Sequence, residues 1–268
     1  MKIVIATPFY PPEGGVLAVY AEGIEGALRG QGHTVTIVSL GFLKHLPPGI
    51  RHFAYWFKVL FPVMRVNHVL LLDTWSVGVP AYLAASICRK PFSVRIGGDA
   101  VWEAYVERTG ESIRLSDFYR DARTFSLKEK IMRRLTQSLV QHARAVFFNT
   151  AFQKHIWSGV YPLPENTHVL ENFFPPKHNV SASTERIFVA ANRPTAYKNQ
   201  ALLERAFARV RIKYQDAVLD TRVLSHDEHL LRLNTVYATI IPSISEVGSN
   251  IAIESVSRGK PFIMTEDT

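Results

Sequence analysis

The first residues run Ile3-Val4-Ile5-Ala6 without a polar interruption and then meet a loop rich in breakers, Pro8-Phe9-Tyr10-Pro11-Pro12-Glu13-Gly14-Gly15. A short apolar run bounded by turn formers predicts a strand buried on both faces, over residues 2–7. The period then changes. Leu17, Tyr20, Ala21, Ile24 and Leu28 fall at i, i+3, i+4, i+7 and i+11, which predicts a helix, and Gly30 and Gly32 mark its end before a strand at 34–39. Further short strands are predicted around 69–72, 92–95, 145–149 and 168–170, separated by segments of helical length. Strands alternating with helices predict a parallel sheet covered on both faces. Residues 171–184 break the rhythm with Pro175, Pro176, Asn179 and a Ser/Thr-rich run, and read as a linker. Beyond it the pattern restarts, with strands at 186–191, 217–221, 237–241 and 261–265 and helices at 199–213, 227–233 and 248–257. Two α/β domains are expected, residues 1–176 and 183–268. No internal repeat or low-complexity tract interrupts them.

Composition narrows the classes. The 268 residues are 47% apolar and 20% charged, which excludes a disordered tail, a collagen-like chain and a coiled coil. Cys88 is the only cysteine, so no internal disulfide framework exists. The longest uncharged stretch, 74–88, holds Gly78 and Pro80 and falls short of the ~20 apolar residues of a spanning helix. The N-terminus enters a strand directly, without the regions of a signal peptide, so a cytoplasmic protein is expected. Lys and Arg exceed Asp and Glu by 31 to 23; residues 1–176 carry 19 basic and 13 acidic side chains and the remainder 12 and 10. The excess in the first part suits a solvated surface, an anionic membrane or an anionic substrate. Nucleic acid is not expected as a partner, because zinc-finger spacing, an RNA-binding aromatic signature and long basic runs are all missing.

Three fragments carry candidate chemistry. In Pro242-Ser243-Ile244-Ser245-Glu246-Val247-Gly248-Ser249-Asn250-Ile251-Ala252-Ile253-Glu254, two carboxylates eight positions apart flank a strand-loop-helix junction. Gly248 and Ser249 can open a helix whose unpaired N–H groups and positive dipole end receive phosphate. Glu254 would lie on the order of 9 Å further along the axis, about the reach from a diphosphate to a ribose. The same spacing also fits a capped loop with one solvent-facing glutamate. Upstream, Arg193 and Lys198 offer a bidentate fork and a point charge to a diphosphate, or else decorate a surface loop. Gly14-Gly15 lets backbone N–H groups approach a ligand, or makes a tight turn. Walker loops, Gly-x-Gly-x-x-Gly and His-Glu-x-x-His are missing, and His226 with His229 does not make up a zinc-site motif.

Together, Pro11-Pro12-Glu13-Gly14-Gly15, Gly32-His33-Thr34-Val35, Asn149-Thr150, Asn172, Arg193 with Lys198-Asn199, and Pro242-Ser243 with Glu246-x7-Glu254 and Gly259-Lys260-Pro261 resemble the family 4 glycosyltransferases of GT-B fold. The resemblance covers nearly the whole chain and is most specific at Glu246-x7-Glu254. It implies an α/β protein of two Rossmann-like domains with parallel sheets facing a cleft. It also implies retaining transfer of a sugar from a nucleotide-diphosphate donor to a glycan or lipid-linked acceptor, with no cofactor and no metal. Arg193 and Lys198 would contact the diphosphate, Glu246 the sugar hydroxyls, the backbone of Val247, Gly248 and Ser249 the phosphates, and Glu254 the ribose. Gly14 and Gly15 would approach the donor from the other domain. Asp99, in Gly98-Asp99-Ala100-Val101-Trp102-Glu103, would orient or deprotonate the acceptor, with Trp102 and Glu103 beside it. Asp99 equally suits a cap on the next turn, and Trp102 equally suits a core position.

The sequence departs from the family's pattern in lacking a histidine near Gly97, in having one strand between Lys213 and His226, and in ending after the strand at 261–265, where relatives usually continue. An abbreviated second domain is therefore expected. A non-catalytic or partner-dependent relative and a nucleotide-sugar epimerase stay open as alternatives. Residues 51–64, with Phe53, Tyr55, Trp56, Phe57, Leu60 and Phe61 around Lys58, read as a buried helix of the first domain or as an interfacial one touching lipid-linked acceptors, and the inner face of a membrane stays open as the place where the cytoplasmic protein works. Lys128, Lys130, Arg133 and Arg134 form a second basic cluster, which could meet lipid headgroups but more simply reads as a solvated helix face.

Overall fold

The computed structural model describes every residue except 14, 15, 179, 182, 191–194 and 268. The chain alternates strand and helix: β1 (Lys2–Thr7), α1 (Val16–Gly30), β2 (Thr34–Ser39), α2 (Pro48–Met64), β3 (His68–Leu71), α3 (Gly78–Ile87) and β4 (Phe92–Ile96). There follow α4 (Ala100–Thr109), α5 (Leu115–Phe118), α6 (Leu127–His142), β5 (Ala145–Phe148), α7 (Ala151–Ser158) and β6 (Thr167–Val169). The second half holds β7 (Ile187–Val189), α8 (Gln200–Lys213), β8 (Val218–Asp220), α9 (His226–Leu233), β9 (Ala238–Ile241), α10 (Asn250–Ser257) and β10 (Phe262–Met264). Every strand pair is parallel, in one sheet ordered β2-β1-β3-β4-β5-β6 and another ordered β10-β9-β7-β8. The alternation in the sequence predicts this architecture, with element ends shifted by one or two residues.

Contacts group the chain into two units, Met1–Val101 with Thr124–Glu171, and Trp102–Arg123 with Asn172–Thr268. In the first, β1 is buried from Ile3 onward. Its alternate residues serve opposite faces. Val4 and Ala6 join the core built with α2, α3, α6 and α7, while Ile3 and Ile5 pack on Tyr20 and Ala21 of α1. The helix at α2 is buried along Tyr55, Val59 and Val63, and the Tyr55 hydroxyl donates to the Val38 carbonyl of β2 at 2.6 Å. In α6 a full capping box, Ser126 with Glu129, starts the helix, and Lys128, Lys130 and Arg134 stand exposed.

The second unit has a smaller core, with Val189, Leu233 and Val236 at its centre. Trp102, Tyr105, Leu115 and Phe118 of α4 and α5, which group with this unit, are buried. The linker predicted at 171–184 forms no helix or strand among its described residues, yet it is tied down, as the His178 N–H donates to Ser257 O at 2.7 Å and Lys260 Nζ donates to Ser181 O at 2.9 Å. Among the described residues no helix is long and apolar enough to cross a membrane.

Removing the Tyr55 hydroxyl would take one donor from the Val38 carbonyl in a buried position. Tyr55→Phe is expected to lower unfolding stability by about 1 kcal/mol in urea titration with an unchanged slope; a neutral result would mean that water or another donor replaces the bond.

Candidate functional site

In the smaller sheet the chain passes from β7 outward to β8, returns to β9 on the other side of β7, and continues to β10. The direction of progress reverses between β7 and β9, and in open parallel sheets the crevice at the carboxyl ends beside such a reversal receives ligands. The loop after β7 holds Arg193, outside the described residues, and Lys198; the loop after β9 holds Ser243 to Ser249.

Lys198 ends a three-residue helical turn, Ala196–Lys198, and Asn199 after it takes a left-handed conformation, φ 53°, that asparagine tolerates better than most residues. Two contacts fix the turn: the Ala196 N–H donates to Glu107 Oε2 of α4 at 2.9 Å, and the Ile244 N–H donates to Tyr197 O at 2.8 Å. Lys198 Nζ then forms a short ion pair with Glu246 Oε1, both side chains being largely enclosed. Ser243 Oγ donates to the same oxygen at 2.6 Å. The Glu246 N–H donates to Asp267 O at 3.0 Å, while Ser245 Oγ donates to the Asp267 carboxylate and accepts from the Leu115 N–H at 2.8 Å. Gly248 has φ 116°, a conformation that only glycine adopts readily, and Asn172 Nδ2 donates to its carbonyl at 3.3 Å. Ser249 then caps α10.

The structure therefore brings Lys198, Glu246 and the Val247–Gly248–Ser249 backbone onto one pair of loops. Glu254 is placed differently. It lies in the second turn of α10, is 8% exposed rather than solvent-facing, and directs its carboxylate to α9, with His226 Nε2 at 2.8 Å from Oε1 and His229 Nε2 at 3.6 Å from Oε2. The carboxylate that faces the two histidines is thus supplied across the fold, rather than by Asp227 or Glu228 between them. Hydrogen bonding to Glu254 holds the His226 pKa above its usual value, whereas burial pushes that of His229 down. Among the described residues no group of three His, Cys, Asp or Glu side chains is arranged to hold a metal.

Asp99 is buried, and its carboxylate accepts from the Val101 N–H at 3.1 Å, a contact of the capping kind. Trp102 is 3% exposed, donates through Nε1 to Ile113 O at 2.9 Å, and packs 5.4 Å from the Tyr197 ring. It thus backs the turn that carries Lys198. Glu103 lies in the first turn of α4, half-buried. Gly14 and Gly15 lie outside the described residues. Glu107 and Asp267, which hold the two loops from behind, escape sequence reasoning because neither belongs to a periodic pattern or neighbours the motif it supports.

No family profile matches the sequence, and no curated protein does. Solved structures do match. Sucrose-phosphate synthase from Thermosynechococcus elongatus aligns over 99% of this chain and 81% of its own, with TM-score 0.71 at 11% identity. The lipopolysaccharide outer core galactosyltransferase WaaB aligns over 98% and 80%, with TM-score 0.59 at 14% identity. The fold is GT-B. UDP-GlcNAc 2-epimerase from Methanocaldococcus jannaschii also aligns, over 100% and 84%, with TM-score 0.54 at 14% identity, so the GT-B fold by itself does not separate transfer from epimerisation.

The raised pKa of His226 fixes the sign of a pH effect. Its contribution to stability is fully present below the unfolded value of about 6.5 and is lost as pH rises through the higher folded value. The loss in melting temperature caused by His226→Gln should therefore be larger at pH 6 than at pH 9; equal losses would show that the imidazolium is not what Glu254 binds.

Proposed function

We propose that the protein is a retaining glycosyltransferase, similar to family 4, that moves a sugar from a nucleotide-diphosphate donor to a glycan or lipid-linked acceptor. The observation that carries the reading is the pairing of Lys198 with Glu246 on loops from the carboxyl ends of β7 and β9, directly before the capped start of α10. Diphosphate recognition requires a cation and amide donors, and sugar recognition requires an acceptor for hydroxyl protons; this pair of loops holds all three kinds of group.

On this reading Arg193 and Lys198 neutralise the leaving diphosphate without a metal, and the amides of Val247 to Ser249 bind its oxygens. Glu246, released from Lys198 when phosphate takes its place, receives the sugar hydroxyls. Glu254 meets the ribose with its orientation set by His226. Gly14 and Gly15 add phosphate contacts from the first domain, residues 1–176. Asp99 orients the acceptor hydroxyl, with Trp102 and Glu103 on the acceptor side. Stabilisation grows as the glycosidic bond breaks and charge collects on the diphosphate, so it lowers the barrier more than it tightens ground-state binding. The setting consistent with such an acceptor is glycan or polysaccharide assembly by a cytoplasmic protein at the inner face of a membrane. The match to an epimerase keeps nucleotide-sugar epimerisation as the second reading.

Thermal shift against uridine, guanosine, adenosine and cytidine diphosphates should find one that raises the melting temperature with its concentration. Lys198→Ala should abolish that shift. With the matching nucleotide sugar, Arg193→Ala should slow release of the sugar to water or acceptor by about a hundredfold while unfolding stability stays within ~1 kcal/mol. An unaltered rate would remove the diphosphate assignment, and conversion of the sugar without any acceptor would favour the epimerase.

A further inference from the structure

Helix α2 leaves a second face uncovered. Opposite Tyr55, Val59 and Val63, the side chains of Ile50, Phe53, Phe57, Phe61 and Met64 stand in solvent, with Phe53 and Phe61 each 63% exposed. At 100° per residue these five positions fall within a stripe about 80° wide. Phe53 and Phe57 meet edge to face at 4.8 Å, and Phe57 meets Trp56 at 4.7 Å, so the stripe is a cohesive aromatic ridge. Phe42, on the short helical turn Gly41–His45 that precedes α2, is 76% exposed. Isolated exposed apolar residues are ordinary; a continuous row along one helix is a docking surface.

Charge decides what docks. Arg51, Lys58 and Arg65 recur every seven residues and so form a row along one flank of the ridge, about 60 to 100° round from Ile50. Lys58 Nζ is fixed by donating to Ser39 O at 2.6 Å, and Arg51 donates to Lys44 O at 3.4 Å. From Gly26 to Leu72 the sequence has five Lys and Arg residues and no Asp or Glu. Lys44 is neutralised by Glu13 at 2.7 Å and is left out of the row. A second copy of the chain would present the same cations to this row, and the repulsion disfavours self-association. An apolar ridge with a parallel row of cations, on a helix without an acid, is complementary to a layer that is apolar inside and anionic at its rim; Glu13, paired with Lys44, is the acid near Lys58.

We infer that the exposed face of α2 is the surface by which this protein lies on an anionic lipid bilayer, with Phe53, Phe57 and Phe61 entering the acyl boundary and Arg51, Lys58 and Arg65 level with the headgroups. The inference specifies the membrane contact named in the proposed function, and it is independent of the donor chemistry, so it is tested without donor or acceptor.

The full chain is sedimented with vesicles of phosphatidylcholine alone and of phosphatidylcholine with an equal amount of phosphatidylglycerol. Binding is expected to the anionic vesicles only, and to weaken as salt rises. The triple variant Phe53→Ser/Phe57→Ser/Phe61→Ser and the double variant Arg51→Gln/Arg65→Gln should each bind about tenfold more weakly or worse. Lys128→Gln/Lys130→Gln/Arg134→Gln on α6 should bind as the parent does. If the triple variant fails to fold, Phe57→Ser alone together with the arginine variant decides. Equal binding to both kinds of vesicle, binding untouched by the α2 variants, or no vesicle binding at all would overturn the inference. So would a dimer that the phenylalanine variants dissolve, which would assign the ridge to a second copy. Loss of donor-induced thermal shift with vesicle binding retained would count against the proposed transfer and leave this surface standing.

Discussion

The carboxylate of Glu246 is the group on which the second unit's loops converge. Lys198 reaches it from the loop after β7, Ser243 donates to it from its own loop, and its backbone N–H is held by Asp267 after β10. Three consecutive strands of the sheet thus contribute to one position. An enclosed lysine or glutamate alone would be costly to bury, and each supplies the other's counter-charge. The pairing keeps two loops together that share no strand and belong to opposite sides of the strand reversal.

What surrounds this pair explains how loops hold a fixed geometry. The Lys198 turn is backed by Glu107 and Trp102 of α4, and the Glu246 loop by Leu115 at the start of α5 through Ser245. The segment Trp102–Arg123 comes before β5 and β6 of the larger sheet in the chain, yet groups with the unit of the small sheet. A unit whose own core centres on few residues gains from it the buried Tyr105, Leu115 and Phe118, and with them a rigid support for the site.

Much of this was legible in the sequence, for physical reasons that also set the limit. The strands of both sheets are short apolar runs between breakers, and a strand covered on both faces reads as one continuous run, so β1 is written almost residue by residue in hydropathy, whereas β2 leaves Thr34 and Thr36 exposed and β4 buries Ser93 and Arg95. Glu246 and Lys198 stand out because cations and carboxylates next to a helix start form a local pattern. The partners of Glu254 do not. Its distance to His226 is set by how α9 and α10 pack against the sheet, and a contact across 28 residues of sequence leaves no periodic trace. The linker shows the same limit: breaker composition identifies residues 171–184 as irregular, but the bonds from His178 to Ser257 and from Ser181 to Lys260 come from tertiary packing alone. The histidine pair, read by itself, suggests two ligands in search of a third; the fold hydrogen-bonds His226 to the Glu254 carboxylate and buries His229 beside it.

The Lys198–Glu246 pair also constrains how a diphosphate could enter, if transfer is the chemistry. The two side chains now cancel each other's charge, so a dianion approaching Lys198 alone would face the carboxylate as well. Entry becomes favourable when the ligand replaces what it displaces: phosphate oxygens for Lys198, and hydroxyl donors for Glu246. A nucleotide sugar offers both kinds of group on adjacent parts of one molecule. A nucleoside diphosphate supplies the first and leaves Glu246 without its cation, so it is held less tightly than the whole nucleotide sugar. A site built on an internal ion pair therefore discriminates through the paired exchange, favouring a ligand that carries acceptors and donors side by side over one that is merely anionic.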